Sequence, residues 1–331
     1  MKRERGVILL LVLWALTALT VVAAELARTM RIEGLTAETY QQEITTYYLA
    51  LAGFERALYQ FLRGPQKGHN LLIPPGGPFA SNRTEQEEQE EDAWERGDGQ
   101  WQSEEFGAGG YWVRVSDEGG KLNLNQVDEP TLRQTFANLG FDIKFSEALT
   151  DAILDWRDSD PLVRMHGAES DDYLALPIPY PAKDGPFDTL EELMLVRGVT
   201  PALFYGRDGP ALRELFTVYS AGGRGGLINL LTASPAVLQA VLGVDAATAQ
   251  ELIRRRTEAG GAELSSLAPG GAGRLLNSLP SVVSIESIGY LNVGGSPRRV
   301  SAVVQRQGNN GFRVLRWQDR QEADNAPAPA E

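Results

Sequence analysis

A chain of 331 residues with 43% hydrophobic content is long enough for one large domain or two ordinary ones beside any membrane anchor. Its formal net charge of −13 argues against a nucleic-acid backbone as the partner, since that contact requires clustered cations. The absence of cysteine excludes disulfides, zinc–thiolate sites and cysteine nucleophiles, and only His69 and His166 could supply histidine chemistry.

The N-terminus combines a short charged head with a long apolar run. Lys2, Arg3 and Arg5 outweigh Glu4, and residues 7–24 carry no charge. At about 1.5 Å per residue this run would span roughly 27 Å as a helix, close to the hydrocarbon thickness of a bilayer. The pattern predicts a membrane-crossing helix whose charged head stays in the cytoplasm.

Three kinds of segment share this pattern. A cleaved signal peptide would end at the small residues 22–24. An ordinary anchor would stay uncut, and a prepilin leader would be cut between Gly6 and Val7, so that the apolar helix is kept. Two features favour the leader, because Gly6 lies at the junction itself and residues 25–62 continue with helix formers and no proline. One helix over 7–62 would be about 84 Å long.

The segment that follows the apolar run is amphipathic. One apolar face, with spacings of three, four and seven, is formed by Ile44, Tyr48, Leu51, Leu58 and Leu62. Gly34 and Gly53 argue against a straight helix. We therefore predict a stalk that carries the rest of the chain away from the membrane.

The N-terminal residues resemble the leader of type IV pilins and pseudopilins, whose peptidase cuts after a glycine. Gly6 precedes the apolar residues 7–11, but the fifth residue after the cut, glutamate in most of that family, is Leu11 in this chain. Minor pseudopilins of the K type, from type II secretion, lack that glutamate and are unusually large, and both properties hold for this chain. The resemblance implies cleavage between Gly6 and Val7, with N-methylation of Val7.

After the stalk the chain alternates between loop and strand signals. Residues 64–81 are rich in glycine and proline, and eight acidic residues between 85 and 98 face the single Arg96, which favours a solvated loop. Residues 111–115 alternate between apolar and polar side chains and predict a strand. An antiparallel meander packed on the stalk is predicted for 282–288, 299–305 and 312–317.

Two segments in the middle of the chain, 121–140 and 227–243, repeat at a constant separation of 106 residues. In each copy an asparagine-containing extended piece precedes a helix that is capped by Asp128 or by Ser234. A glycine-containing hairpin then leads to a second helix, predicted at 148–156 and 246–256. This arrangement resembles the helix-hairpin-helix or SAM-like unit.

The repeat suggests an alternative function, a membrane-anchored helix-hairpin-helix protein that binds DNA in competence. Its support is the basic triplet 254–256. The hairpins lack the paired glycines that bring backbone N–H groups onto phosphate, and the net charge has the wrong sign. No glycine-rich phosphate loop follows a strand, and His166 is expected on a surface turn, so we expect neither a nucleic-acid partner nor an enzyme.

Carboxylates cluster on turns between the two repeats, within residues 155–160 and 169–172. Such groups suit a hard cation such as Ca²⁺, but on the residues alone an acidic, solvated connection is favoured. The same run resembles the helical domain of K-type pseudopilins, where calcium is bound, and residues 187–201 resemble another segment of that domain. The resemblance implies calcium as a cofactor, with the candidate ligands Glu169, Asp171, Asp172, Asp158 and Asp160.

We predict an α+β fold in which a long N-terminal transmembrane and stalk helix packs on a small antiparallel pilin-like sheet. A large all-α domain of two SAM-like repeats is inserted into it. The predicted segments are a leader at 1–6, the transmembrane and stalk helix at 7–62, the pilin-like domain at 63–120 and 281–320, the inserted helical domain at 121–280, and a disordered tail at 321–331.

The K-type resemblance covers the whole chain and implies a minor pseudopilin at the tip of the type II secretion pseudopilus, where it would initiate assembly. The implied partners are the I- and J-type minor pseudopilins, the major pseudopilin below, the prepilin peptidase, and a secreted substrate or the outer-membrane secretin. The implied location is the inner membrane, crossed once, with the C-terminal domain in the periplasm.

Overall fold

The computed structural model describes residues 2–63, 97–207, 209–220, 227–259, 275–276, 280–308 and 311–323. Described side chains begin at Leu10. The glycine- and proline-rich segment 64–81, most of the acidic run (85–96) and the tail from residue 324 lie outside the described residues.

The described helices and strands follow one another in groups along the chain. In chain order they are helix α1 (Lys2–Arg63), strands β1 (Asp98–Phe106), β2 (Gly109–Asp117) and β3 (Leu122–Asn123), helices α2 (Glu129–Asn138), α3 (Ile143–Arg157), α4 (Ser170–Leu174), α5 (Pro201–Tyr205) and α6 (Leu212–Leu215), strands β4 (Phe216–Thr217) and β5 (Ile228–Asn229), helices α7 (Pro235–Leu242) and α8 (Ala246–Ala259), and strands β6 (Leu275–Leu276), β7 (Val282–Leu291), β8 (Arg298–Gln307) and β9 (Gly311–Glu322).

Helix α1 is continuous from the charged head through the apolar run and the stalk. It is long and apolar enough to cross a membrane, and its most apolar window is not covered by any other part of the described structure. Within this window Thr17 and Thr20 donate their hydroxyl hydrogens to the backbone carbonyls of Trp14 and Leu16, at 2.8 and 2.7 Å. The polar groups of the apolar run are therefore satisfied inside the helix itself, as a bilayer requires.

Five strands form one antiparallel sheet in the order β1-β2-β7-β8-β9. Strands β2 and β7 are neighbours with Asp117 opposite Val283, so the chain leaves the sheet after β2 and returns beside the point of departure. The alternating residues on one face of the sheet pack against the upper part of α1. This core contains Ala50, Phe54, Ala57, Phe61, Tyr111, Val113, Val115, Val283, Ile285, Val300, Ala302 and Val304. The predicted α+β fold is confirmed.

The helix and the sheet approach each other closely at two glycines. A Cβ atom on Gly53 would lie 2.5 Å from both Ser287 Oγ and Tyr111 Cδ2. On the sheet, a Cβ atom on Gly289 would overlap the carbonyl oxygen of Thr46 in α1. The sequence predicts that Gly53 disturbs the stalk helix. In the structure its missing side chain allows the backbone of α1 to approach the sheet closely.

Between β2 and β7 lies a second hydrophobic core, built from helices α2 to α8. Equivalent asparagines organise the two copies of the repeat. Asn123 Oδ1 accepts the backbone N–H of Asn125 at 2.8 Å, and Asn229 Oδ1 accepts that of Leu231 at 3.2 Å. Each asparagine thus closes the tight turn that leads into α2 or α7.

Two acidic residues at the end of β2 connect the sheet to the helical region. Asp117 Oδ2 accepts hydrogen bonds from Asn229 Nδ2 and Thr232 Oγ1, both at 2.8 Å. Glu118 accepts a hydrogen bond from Thr217 Oγ1. Since Asp117 and Glu118 are both buried, the junction is a satisfied polar network rather than a flexible linker.

The segment that follows residue 186 differs from its prediction. A 3₁₀ helix spans Leu190–Leu195, with Thr189 as N-cap and a capping box to Glu192. The spacing of Asp188 and Glu191 in the sequence predicts an α-helix there, with Asp188 as its N-cap. Asp188 is instead paired with Lys183 Nζ at 2.6 Å, which removes its carboxylate from the helix end.

Candidate functional site

The predicted processing site lies in the first turns of α1. Gly6 and Val7 both have helical backbone, and the helix continues through them without a break. Cleavage between these residues stays a prediction, as does methylation of Val7.

The carboxylates between the repeats gather where α3 ends. Asp155 lies in the last turn of α3 with 0% of its surface exposed, and Asp158 is the C-cap residue. The chain then turns back, and the backbone N–H of Arg164 donates to Asp155 Oδ2 at 3.2 Å. Glu169, the N-cap residue of α4, is also buried. Turn geometry and helix ends thus bring the three acids into one region.

Three buried oxygens of this region have no hydrogen-bond donor in the described structure. They are Asp155 Oδ1, Asp158 Oδ1 and Glu169 Oε1. Arg164 Nε lies 3.3 Å from Asp155 Oδ1, an ion-pair contact that does not meet hydrogen-bond geometry. Buried carboxylate oxygens without donors are costly, and they are also the oxygen ligands that a hard cation takes.

Burial shifts the protonation of these acids in the same direction. It raises the pKa of Glu169 to about 7, and the negative charges of Asp155, Asp184, Asp158 and Asp160 add to the shift. It raises the pKa of Asp155 to about 6, with Asp158 contributing. The pKa of Asp158 is raised as well, by burial and then by Asp160. The region therefore concentrates negative charge that a bound cation would neutralise.

The donor set fits a hard cation in chemistry but not as a preformed cage. Among the described residues, no three histidine, aspartate or glutamate side chains converge into a group that could already hold a metal ion. A Cβ atom on Gly167 would overlap Asp155 Oδ2, so the glycine is needed where the loop backbone packs on this carboxylate. Side-chain movements at Asp158 and Glu169 would have to complete the coordination.

The predicted ligands differ in their surroundings. Asp160 Oδ1 accepts the backbone N–H of Leu162 at 3.0 Å. Asp172 accepts the backbone N–H of Glu169 at 3.2 Å and pairs with Arg197 at 3.4 Å. Asp171 is exposed. Asp160, Asp171 and Asp172 stay predicted ligands. The buried oxygens without a donor belong instead to Asp155, Asp158 and Glu169.

Asp155 is the residue that the sequence reasoning missed. Its signal was available, since Asp155 lies in the same acidic run as Asp158, three residues before it. Asp184, whose charge also acts on Glu169, is distant in sequence from that helix, and no local pattern identifies it.

The basic triplet of the DNA-binding alternative is engaged within the chain. Arg254 and Arg255 both pair with Glu251, and Arg256 Nη1 donates to the backbone carbonyl of Ala233 at 2.6 Å. His166 lies on a surface turn, where its Nδ1 is 3.5 Å from Asp151 Oδ2. Neither arrangement favours phosphate binding or catalysis.

Comparisons with known proteins identify relatives of this chain. Residues 120–207 match the family model described as type II secretion system (T2SS), protein K. The chain is 31% identical over 106 residues to type II secretion system protein K of Pectobacterium carotovorum subsp. carotovorum, covering 28% of this chain and 32% of that protein. It is 28% identical over 158 residues to the protein of that name from Pseudomonas aeruginosa, covering 45% of each. The chain thus spans less than half the length of these curated relatives.

The fold is similar to a chain in the crystal structure of the GspK-GspI-GspJ complex from the enterotoxigenic Escherichia coli type 2 secretion system. The TM-score is 0.57, and the superposition covers 88% of this chain and 100% of that chain. Sequence identity is 17%, so the likeness concerns the fold.

Proposed function

We propose that this chain, a member of the type II secretion system protein K family, is a minor pseudopilin that caps the pseudopilus and initiates its assembly. The observation that carries the proposal is the family-type helical region at 120–207, inserted into a sheet that packs on an apolar N-terminal helix. The role is structural rather than catalytic.

The tip position has a steric reason. The helical region leaves the sheet after β2 and returns at β7, so it adds a second core beside the stalk and sheet. A subunit that carries this extra bulk leaves no room for another stalk to stack above it. Leu11 agrees with that position. A carboxylate at that depth in the bilayer would need the terminal amine of a subunit ahead to offset its cost, and a subunit at the tip has no such neighbour.

The proposed partners are the I- and J-type minor pseudopilins, with the major pseudopilin below them in the filament. The prepilin peptidase would process the N-terminus, and a secreted substrate or the secretin would meet the tip. Helix α1 supports a single crossing of the inner membrane, with the sheet and helical region in the periplasm.

Mass spectrometry of the mature N-terminus tests membership in the filament. We expect a chain that starts at N-methylated Val7. A start at Met1 or Glu25 would contradict processing as a pseudopilin. Cryo-electron microscopy of pseudopili assembled with the full chain tests the position, and density for the helical region along the shaft would contradict a tip role.

We also propose that the carboxylate cluster binds Ca²⁺, through Asp155, Asp158 and Glu169 together with oxygens from the predicted set. A bound cation would supply the positive charge that the donor-free oxygens lack and would hold the loop between α3 and α4.

Calorimetry with Ca²⁺ on the full chain in detergent, after treatment with EDTA, tests this site. We expect measurable heat and a higher Tm, and at least tenfold weaker binding in the Glu169→Gln variant. Asp171→Asn compares the exposed predicted ligand, which we expect to matter less. Neither heat nor a thermal shift for the wild type would reject calcium.

A further inference from the structure

The helical region exposes a group of large apolar side chains on both sides of the short helix α4. Met165 is 91% exposed and Ile178 is 81% exposed. We call the whole group the α4 apolar surface, and its members are Leu162, Val163, Met165, Leu174, Leu176 and Ile178. Single exposed apolar residues are ordinary, but a group of them on one part of a protein marks a contact surface.

The two halves of the α4 apolar surface lie at the two ends of one helical turn and a half. Helix α4 spans Ser170–Leu174, which is about 7.5 Å at the standard rise. Arg197 connects both ends, because its Nη1 donates to the carbonyl of Gly167 and its backbone N–H donates to the Tyr173 hydroxyl, each at 3.2 Å. The residues before and after α4 are therefore close enough to contact one partner together.

The first half is fixed to helix α3 by its backbone. The N–H of Arg164 donates to Asp155 Oδ2 and the N–H of His166 donates to Asp151 Oδ2, both at 3.2 Å. Asp151 and Asp155 are buried residues of α3. The apolar side chains at 162–165 thus project from a segment that is held against the helical core.

The second half is fixed in the same way. The N–H of Ala182 donates to Ser170 Oγ at 3.0 Å, and the Tyr180 hydroxyl donates to the carbonyl of Leu195 at 2.8 Å. Three prolines within 177–181 restrict the backbone further. A surface that already has one conformation loses little entropy on binding, so the α4 apolar surface is pre-organised for contact.

Acidic residues surround the α4 apolar surface. Residues 158–197 contain nine Asp or Glu and three Lys or Arg, which gives a formal charge of −6. The proposed calcium ion would still leave this segment negative. Its exposed aspartates, which we call the acidic rim, are Asp160, Asp171, Asp172, Asp184 and Asp188.

The cations of this segment are paired with its own carboxylates or with those of α3. The contacts join Arg164 to Asp155 at 3.3 Å, Lys183 to Asp188 at 2.6 Å, and Arg197 to Asp172 at 3.4 Å. An anionic lipid surface would therefore meet repulsion from the acidic rim. A second copy of this chain would place one acidic rim against another, which is also unfavourable.

We propose that the α4 apolar surface docks a different, folded protein whose own surface has an apolar centre surrounded by lysine and arginine. An apolar centre with a charged rim is the usual anatomy of a specific protein interface. Opposite charges on the two rims would orient the partners and raise the rate of association. This contact goes beyond the proposed function, because it assigns the helical region a partner outside the stalk and sheet.

A photo-crosslinking amino acid in place of Ile178, in the full chain made by its own cells, identifies the occupant. Ile143, which is 77% exposed in the first turn of α3, is the matched control position. We expect one protein product at position 178, at least fivefold more abundant than at position 143. Mass spectrometry should place the link on an apolar surface of that protein with lysine or arginine beside it.

Every other result of this crosslinking experiment would overturn the proposal. Such results are no protein product at position 178, equal yields at the two positions, or a link to a surface without lysine and arginine. A product within the same chain, with a second copy of it, or with lipid would have the same consequence. Failure of the proposed function is detected separately, by an unprocessed N-terminus.

Substitutions test the apolar centre with the crosslinking amino acid moved to position 165. We expect Ile178→Asp to lower the yield of the same product at least fivefold, and Ile143→Asp to lower it less than twofold. Thermal unfolding of Ile178→Asp in detergent should match the wild type, which separates lost docking from lost folding. An unchanged yield for Ile178→Asp would overturn the proposal.

The acidic rim is tested by removing charge without changing shape. The double variant Asp184→Asn with Asp188→Asn should lower the yield at position 165 at least twofold. Glu214→Gln with Asp319→Asn removes two exposed charges outside residues 158–197 and should leave the yield unchanged. An unchanged or higher yield for the rim variant would contradict a partner with a basic rim.

Discussion

At the scale of single residues, two glycines of one helix show how context decides the role of a residue type. Gly34 has no atom within 4 Å of an added Cβ, whereas Gly53 faces Ser287 and Tyr111 at 2.5 Å. Helix propensity treats both positions alike, with alanine favoured by about 1 kcal/mol. Packing against the sheet separates them.

We expect Gly53→Ala to lower the free energy of unfolding by about 1–3 kcal/mol, because the added methyl group forces α1 away from β7. The matched Gly34→Ala variant should be neutral or up to about 1 kcal/mol more stable. Thermal unfolding of the full chain in detergent measures both. Equal changes in the free energy of unfolding at the two positions would show that the close approach of α1 to the sheet does not contribute to stability.

Asp117 is a central residue of the junction between the sheet and the helical region. Its Oδ1 accepts the Gly119 N–H at 2.8 Å, and its Oδ2 serves Asn229 and Thr232. Burial raises the pKa of Asp117 above its usual value, although the hydrogen bonds from Asn229, Gly119 and Thr232 oppose the shift. The carboxyl is therefore more readily protonated in the folded state than in the unfolded state.

Asp117→Asn should destabilise the protein by about 1–3 kcal/mol. The new side-chain amide donates hydrogens at a position where the surrounding groups also donate, so hydrogen bonds are lost. Since the folded pKa is raised, the contribution of Asp117 is fully present below about pH 4 and decreases as the pH rises through the folded value. The difference in Tm between wild type and variant should be larger at pH 4 than at pH 7. A difference that grows with pH would contradict the raised pKa.

At the scale of elements, each of the two repeats contains the same kind of arginine contact. Arg157, at the end of α3, donates to the backbone carbonyls of Leu124 and Val127. Arg256, in α8, donates to the carbonyls of Leu230 and Ala233. The four carbonyls are equivalent at the repeat separation, so each second helix is tied to the turn that opens its own unit.

Arg256→Met keeps much of the side-chain volume but removes the donors, and we expect a loss of about 1.5–3 kcal/mol. Arg255→Met, next to it on the surface pair with Glu251, should cost less than about 1 kcal/mol. Chemical denaturation of the two variants distinguishes the hydrogen bonds of Arg256 to the turn from the effect of a positive charge at the end of the helix. Similar losses would mean that Arg256 acts only through the helix dipole.

At the scale of the whole molecule, the helical region is tied to the sheet at a second place. Arg316 of β9 forms two contacts with Glu191 of the 3₁₀ helix, at 3.0 and 2.8 Å. The pair raises the pKa of Arg316 and lowers that of Glu191. With the network at Asp117, it holds the helical region across the outer face of the sheet.

A double-mutant cycle with Arg316→Ala and Glu191→Ala should give a coupling energy of about 0.5–1 kcal/mol, because the pair is bidentate but partly exposed. Each single variant should also speed hydrogen exchange at the junction residues of β4. The surface pair of Arg255 with Glu251, within one helix, is the control and should leave that exchange unchanged. Zero coupling would show that this ion pair does not contribute to the connection between the sheet and the helical region.

Local patterns in the sequence predicted the stalk, the strands and the repeat because each depends on neighbours along the chain. The alternation in 111–115 predicted β2, and the caps at Asp128 and Ser234 predicted the starts of α2 and α7. Strand β1 had no such signal, because its polar residues form a strand only when β2 offers an edge.

The membrane span, the α+β fold and the acidic character of the loop between the repeats all follow from local patterns in the sequence. The tertiary structure alone decided which face of α1 the sheet buries, because Gly53 and Gly289 permit close approach on one side only. It also brought Asp155 close enough to Glu169 for its charge to raise the pKa of Glu169, since helix and loop must first fold together. The apolar face predicted from the periodicity is only partly buried, because contacts distant in sequence place other residues of α1 on the sheet.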